Sequence, residues 1–479
     1  MPQNKPKEFS RRDFIRNGVA GVGASAFSLS SLGSLLSLKE AHALPRSNSN
    51  YQALVLVFLA GGNDSYNMLI PTAGPLRERY EQGRGIISIA KEELHPISLT
   101  EPANIFDGTT HSEFGFHPSC PQIAELFNNN ELNVMCNAGN LVTPVSLQAF
   151  QSESVALPPQ LFSHADQQRQ IQSEPSGLFN FGWGGRTAEL LAHLNTDTEV
   201  SPLISMSGLN AFQVSRDGLM TAYELSSNGL ISLDSFNGLR ASMINESMAS
   251  AAGSDNLLSQ KYASVYQSAQ RAEAVVRASF EEAELKGIDY DAIFAAAGGT
   301  ESLTQERLKT VAKMIAGRAS TTNTRPVFFV EMDGFDTHRN LLGGHAALMA
   351  DLDASLKGFR DALIAQGDFD SVVTMVGSEF GRTFTPNGND AVAGTDHGWG
   401  GHYMFMGGVI DGGKLHGTHP DFRLEQGLDT GRGRWIPTTS SSQCSAELAR
   451  WMGVSDSELL NIFPSLANFG GPPSPTIIA

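Results

Sequence analysis

Residues 53–64 read ALVLVFLAGGND. Seven apolar side chains run without a polar break and then give way to Ala, two glycines, an Asn and an Asp. A half-buried strand alternates apolar and polar residues, so an unbroken run of this length reads as a strand buried on both faces, the kind found inside parallel sheets. Four later runs repeat the pattern: Leu132–Cys136, Pro326–Val330, Val372–Val376 and Tyr403–Met406. The first three end in polar, Gly-containing segments, namely Asn137-Ala138-Gly139, Glu331 to His338 and Gly377 to Arg382.

Helical patterns separate the runs. Leu348, Leu352, Leu356, Phe359 and Leu363 recur at spacings of four, four, three and four, which makes one apolar helix face. Leu308, Val311, Met314 and Ile315 do the same within 300–318, and 257–285 reads as a long helix rich in Ala, Gln and Glu. Strands alternating with helices predict an α/β fold with a doubly wound, mostly parallel sheet. The Ser-, Asn- and Ala-rich segment from about 195 to 300 shows no strand rhythm and is expected to be a helical insertion. Residues 446–467 are expected to close the chain as a helical pair, with the Pro-rich tail after Gly470 loosely held. The expected organisation is thus residues 1–43 as a leader and 44–479 as a single α/β domain.

The leader reading rests on Ser10-Arg11-Arg12-Asp13-Phe14-Ile15, a mildly apolar Gly-, Ser- and Ala-rich segment, and Ala41-His42-Ala43 as a small-x-small cleavage site. Paired arginines in this layout mark a twin-arginine export signal. The expected location is the periplasm or another exported compartment, with the twin-arginine translocase as a transient partner that accepts already folded cargo. Residues 1–43 hold six Lys/Arg and three Asp/Glu, so their removal leaves 27 basic against 47 acidic residues, a net of −20 where the whole chain has −17. That balance argues against a nucleic-acid partner, which needs clustered basic side chains. No run of about 20 apolar residues is present, so no stable membrane insertion is expected. Three cysteines, Cys120, Cys136 and Cys444, are too few for a disulfide framework or a thiolate metal site.

The polar residues at the strand ends carry the functional reading, because ligands of open α/β sheets bind beyond the carboxyl ends of the strands. Asp64, Asp336, His338 and Glu379 each follow a strand by a few residues, and Asp396 and His397 lie in the Gly-rich loop before Tyr403. Asp and His without thiolates form the ligand set of catalytic Zn²⁺, Mn²⁺ or Mg²⁺ sites, and Ca²⁺ also accepts part of it. Glu379 and Arg382 are expected to form a buried ion pair, with Arg382 also placed to grip a substrate oxyanion. His117 reads as structural. His416 and His419 are weaker ligand candidates, and Trp183 and Trp399 either line a pocket or pack.

LVLVFLAGGNDSYNMLIP (54–71), FGFHPS (114–119), LFSHADQQ (161–168), FGWGGR (181–186), GFDTH (334–338), SEFGRT (378–383) and GTDHGWGGH (394–402) together resemble the DUF1501 family of exported bacterial proteins. That family resembles a branch of the alkaline phosphatase–sulfatase superfamily. The resemblance implies an alkaline phosphatase-like core with two divalent ions. Asp64 would bridge them, Asp336 and His338 would serve one, Asp396 and His397 would straddle the pair, and His402 would be a late ligand. Asp336 and His338 stand two apart where the superfamily spaces its Asp and His by four. Ser163, opening a helix whose amide end favours an anionic oxygen, is the candidate nucleophile, with His164 beside it as ligand or acid/base. The implied activity is hydrolysis of a phosphate ester, less readily a sulfate ester, on a small-molecule or glycan substrate. No cysteine opens the Cys/Ser-x-Pro-x-Arg motif of formylglycine sulfatases, since Cys120 is followed by Pro121-Gln122-Ile123-Ala124. The alternative is a metal-stabilised, non-catalytic binding or assembly protein of the cell envelope.

Overall fold

In the computed structural model, the residues described are 51–479 apart from 178–179, 196–198, 217, 219, 226–237, 299–301 and 473–475. The leader expected over 1–43 lies outside them. The first strand, β1 (Ala53–Leu59), is buried along its whole length and occupies the middle of the main sheet. Its alternate side chains enter two cores: Val55, Val57 and Leu59 on one face, Leu54, Leu56 and Phe58 on the other. The helices Leu303–Ala316 and Leu341–Gln366 pack into the first core, and Trp183–Leu190 and Ser441–Met452 into the second. Helices therefore cover both faces, as the unbroken apolar runs require.

The further strands are β2 (Leu69–Pro71), β3 (His95–Ile97), β4 (Ala103–Ile105), β5 (Thr110–His111), β6 (Phe114–Phe116), β7 (Leu132–Gly139), β8 (Leu203–Ser205), β9 (Tyr223–Glu224), β10 (Val327–Met332), β11 (Val372–Gly377), β12 (Gly401–Met406), β13 (Leu415–His419) and β14 (Thr439–Ser440). Among the described residues the main sheet runs in the order β5-β4-β13-β7-β12-β11-β1-β10-β8-β9, with β14 also paired to β7. A small antiparallel sheet holds β2, β6 and β3. The protein is a mixed α/β structure whose large sheet is mostly parallel, β1 pairing in parallel with both β10 and β11.

Three expectations need correction. β12 is antiparallel to both neighbours, β11 and β7. No helix carries the chain back after β11; the loop 378–400 stays at the carboxyl edge, so β12 has to run away from it. The segment 195–300 is more than a helical insertion, since β8 and β9 extend the sheet beyond β10 before the helices begin. These strands are two or three residues long, too short to leave a periodicity in the sequence. The closing helical pair expected over 446–467 is present as Ser441–Met452 and Asp456–Ile462, each opened by a Ser capping box. The tail is anchored: the amides of Thr476, Ile477 and Ile478 donate to the Glu447 carboxylate at 2.8, 2.6 and 2.9 Å. Among the described residues no helix is long and apolar enough to cross a membrane.

Candidate metal centre

Three loops meet at the carboxyl edge of β10, β1 and β11. After β10 the chain carries Asp336 and His338. After β11 it carries Glu379 and Arg382, folds back, and presents Asp396 and His397 before entering β12. An antiparallel bridge between Arg382 and His397 closes this loop on itself, and another between Arg339 and Ala393 ties it to the first loop. The reversal of β12 is what holds Asp396 and His397 at this edge. The helix His164–Gln172 supplies His164. Two glycines make the approach feasible. A Cβ on Gly61, whose φ is +120°, would lie 2.3 Å from the Asp336 amide nitrogen, and one on Gly394 would lie 2.2 Å from the His338 carbonyl carbon.

The imidazoles are oriented by their far nitrogens. His164 Nδ1 donates to Glu379 Oε1 at 2.8 Å, His338 Nδ1 to Asp396 Oδ1 at 3.0 Å, and His397 Nδ1 to the Phe162 carbonyl at 2.7 Å. Each partner only accepts, so each calls for a proton on Nδ1, and the Nε2 atoms face inward. The three Nε2 atoms lie 3.5, 3.0 and 3.3 Å from Asp336 Oδ1, for His164, His338 and His397 in turn. The Nε2 atoms of His338 and His397 are themselves 3.0 Å apart. His164, Asp336 and His397 form a group with ligand atoms all within 4.8 Å of one another, and it could hold a metal ion.

Charge around the cluster is arranged to match. Glu379 is fully buried, its Oε1 accepting from the Gly61 amide (2.9 Å) and Gln168 (3.1 Å) as well as His164, its Oε2 from Ser378 (2.9 Å). The bond to Glu379 raises the His164 pKa, whereas burial lowers that of His397. Arg382, also fully buried, donates to Asp336 Oδ1 at 2.6 Å and to the Gly61 carbonyl at 3.0 Å. Burial pushes the Asp336 carboxyl up, but Arg382, His338 and His164 outweigh it and hold it low. Asp396 is lowered further: burial again opposes, and Arg432, Asn387 and His338 prevail.

Several expectations fall elsewhere. Asp64 is not at this cluster. It is fully buried in an ion pair with Arg84, which also donates to Asn67, Thr383 and Phe384. His402 points into the aromatic core instead: its Nδ1 accepts from the Asn137 amide at 3.1 Å, and its ring meets Tyr66 at 5.0 Å. Burial drives its pKa well down. Ser163 Oγ donates to Asp166 at 2.7 Å and makes no hydrogen bond to the cluster. Glu379 and Arg382 do not pair with each other; Glu379 holds His164 and Arg382 holds Asp336. Trp183 and Trp399 are buried, donating to the Ile171 and Asn140 carbonyls. His117 is buried and accepts from the Ser119 amide, and His416 and His419 contact backbone carbonyls. The residues that sequence reasoning missed are Arg84, Asn387, Arg432 and Arg434. The last stacks over Phe162 at 5.2 Å, and its Nε donates to the His397 carbonyl at 2.8 Å. The dense GRGRW at 431–435 was the available signal.

Fold and centre together define a mixed α/β protein with a His/Asp group at the carboxyl edge of its sheet. The chain belongs to the DUF1501 family, described as a protein of unknown function, whose family model matches residues 51–429. No curated protein matches it. Among solved structures it is similar to the lipoteichoic acid synthase LtaP from Listeria monocytogenes, at 9% identity over 88% of this chain and 76% of that one, with a TM-score of 0.34. It is also similar to Ps i-CgsB, at 11% identity over 87% and 77%, with a TM-score of 0.34. Scores this low assign no activity.

Proposed function

We propose that the protein is an exported, metal-dependent hydrolase of anionic esters, phosphate in preference to sulfate, built on a doubly wound core of the alkaline phosphatase type. One divalent cation, in place of the two expected, would be held by Nε2 of His164 and His397 and by Asp336, with His338 beside them. The observation that carries this reading is the convergence of three imidazole Nε2 atoms on one carboxylate oxygen at 3.0–3.5 Å. Acceptors facing acceptors repel one another unless positive charge lies between them. A tetrahedral ion with bonds of about 2.1 Å sets its ligands about 3.4 Å apart. A proton on one Nε2 would relieve one contact, whereas a cation at the centre relieves all of them.

When bound, the ion would polarise an ester oxygen. The chain's own contribution is orientation. Glu379, Asp396 and the Phe162 carbonyl fix the three rings by the carboxylate–histidine device of metal sites, and Arg382 neutralises part of the Asp336 charge. With the Ser163 hydroxyl bonded to Asp166, water from solvent is the nucleophile, and the half-exposed Asp336 and His338 leave room for it. Arg11-Arg12 and Ala41-His42-Ala43 support export through the twin-arginine route. A non-catalytic envelope binding protein is the second reading, favoured by the absence, among the described residues, of a hydroxyl hydrogen-bonded to the cluster's Nε2 atoms or Asp336.

Elemental analysis of chelator-free wild type beside Asp336→Asn/His397→Ala tests the centre. Near one metal per chain, lost in the variant, is expected, together with turnover of phosphate monoesters or diesters. A folded, metal-free wild type would refute the centre, and a full metal load without turnover of any ester would favour the second reading.

A further inference from the structure

The helix Gly238–Ala252 buries none of its side chains, and its packing partner is the helix Leu257–Leu285. The two run antiparallel: Tyr266 Oη and Gln270 Nε2 both reach Asn245 Oδ1, at 3.0 and 3.2 Å. From Ala272 onward the longer helix is anchored, with Ala272, Val276, Ser279 and Ala283 buried. Of residues 257–271 only Ala263 is buried. At 1.5 Å per residue, the outer part of this hairpin is about 22 Å long. It has almost no core of its own, although helices in proteins owe most of their stability to packing of an apolar face.

The side chains it exposes are the wrong ones for water. Leu239 and Met243 on the first helix, and Leu257, Leu258, Tyr262 and Val265 on the second, are each more than half exposed. Leu258, Tyr262 and Val265 follow at spacings of four and three, so they share one helix face. The summed exposed surface of these six residues is on the order of 700 Å², close to the roughly 800 Å² per partner of a stable complex.

We propose that this hairpin is the dimer interface of the protein, two copies pairing their hairpins into an antiparallel four-helix bundle about a two-fold axis. Charge favours a second copy over a membrane surface. Residues 238–271 hold Arg240, Lys261 and Arg271 against Glu246 and Asp255, a net of +1 in a chain of −17. Two copies that would repel elsewhere can therefore meet here. Anionic lipid needs a cluster of free basic side chains, and Arg271 is already paired with Glu199 at 2.9 Å.

Sedimentation velocity across a wide concentration range tests the proposal, comparing wild type with Leu258→Glu/Tyr262→Glu. Both positions are exposed, so the fold should survive, and circular dichroism checks that it does. A wild-type dimer whose dissociation constant rises by at least about 100-fold in the variant is expected. Val265→Cys supplies a second readout, because the native cysteines are all buried and leave a clean background for disulfide-linked dimers. A wild type that stays monomeric, a variant dimer as tight as wild type, or a monomer that binds anionic vesicles through these residues would each overturn the proposal.

Discussion

Mild acid should unfold this protein well above the pH at which carboxylates titrate. Burial lowers the pKa of His117 and of His345 to about 3 and that of His419 to about 4. In the unfolded chain each returns to about 6.5. A histidine whose folded pKa is depressed is held neutral by the fold, so below pH 6.5 the unfolded state binds more protons and stability falls as pH drops, until the folded pKa is reached. Between pH 7 and pH 5 the linkage relation gives a loss of about 2 kcal/mol per histidine, or about 6 kcal/mol for the three. That is comparable with the whole stability of a typical domain, about 5–15 kcal/mol. His164 works in the opposite sense, since its raised pKa adds stability below its unfolded value that is lost as pH rises, and it offsets part of the slope. Urea unfolding followed by circular dichroism at pH 7, 6 and 5 gives the slope of free energy against pH. Uptake of at least about three protons on unfolding near pH 5.5 is expected, since His402 is depressed as well, and His345→Gln should remove about one of them. A stability that stays flat between pH 7 and pH 5 would show that these histidines are solvated in the native state. His345 Nε2 donates to Asn63 Oδ1 at 2.9 Å, two residues from Gly61, so an added proton goes to the buried Nδ1, and charging the ring there should loosen the loop that supports Glu379.

Arg84→Ala removes the cation paired with the buried Asp64 and should cost about 3–5 kcal/mol in urea unfolding; a change near zero would mean that Asp64 is compensated in another way. Glu379→Ala should weaken metal binding by about 10–100-fold in a competition titration, while Glu379→Gln, which keeps an acceptor oxygen for His164, should recover most of it. Equal losses in the two variants would show that Glu379 acts through packing alone. Gly61→Ala places a methyl group against the Asp336 amide and should lower both metal affinity and melting temperature, by at least about 1–3 kcal/mol of backbone strain. An unchanged melting curve would mean that the β1 loop shifts freely.

What the sequence disclosed follows from what apolar runs can encode. β1, β10 and β11 are buried on both faces, and such strands announce themselves as unbroken Val, Leu, Phe and Met. Strand direction is not written in an apolar run, so the reversal of β12 was illegible, as were β8 and β9, which lean on a neighbour's register more than on their own residues. At the candidate centre, the strand-end rule led to the loops bearing Asp336, His338, Asp396 and His397 because their distance from β10, β11 and β12 is short. It misplaced Asp64, which obeys the same rule, because nothing near residue 64 announces that Arg84 would be folded against it. His402 is misread for a related reason: its side chain enters the core with Tyr66 and His419, and the Asn137 amide that occupies its Nδ1 lies 265 residues away.

The central position of β1 has a consequence for how the chain is made. Leu54 pairs with Val327 on one side, 273 residues later in the chain, and with Val373 on the other, 319 residues later. This apolar strand is thus synthesised long before either of its neighbours leaves the ribosome. Throughout that interval an uncharged seven-residue run with both edges open is a template for pairing with other nascent chains. Production of this protein should therefore depend on chaperones that shield the β1 segment during translation, and slower synthesis should increase the aggregated fraction.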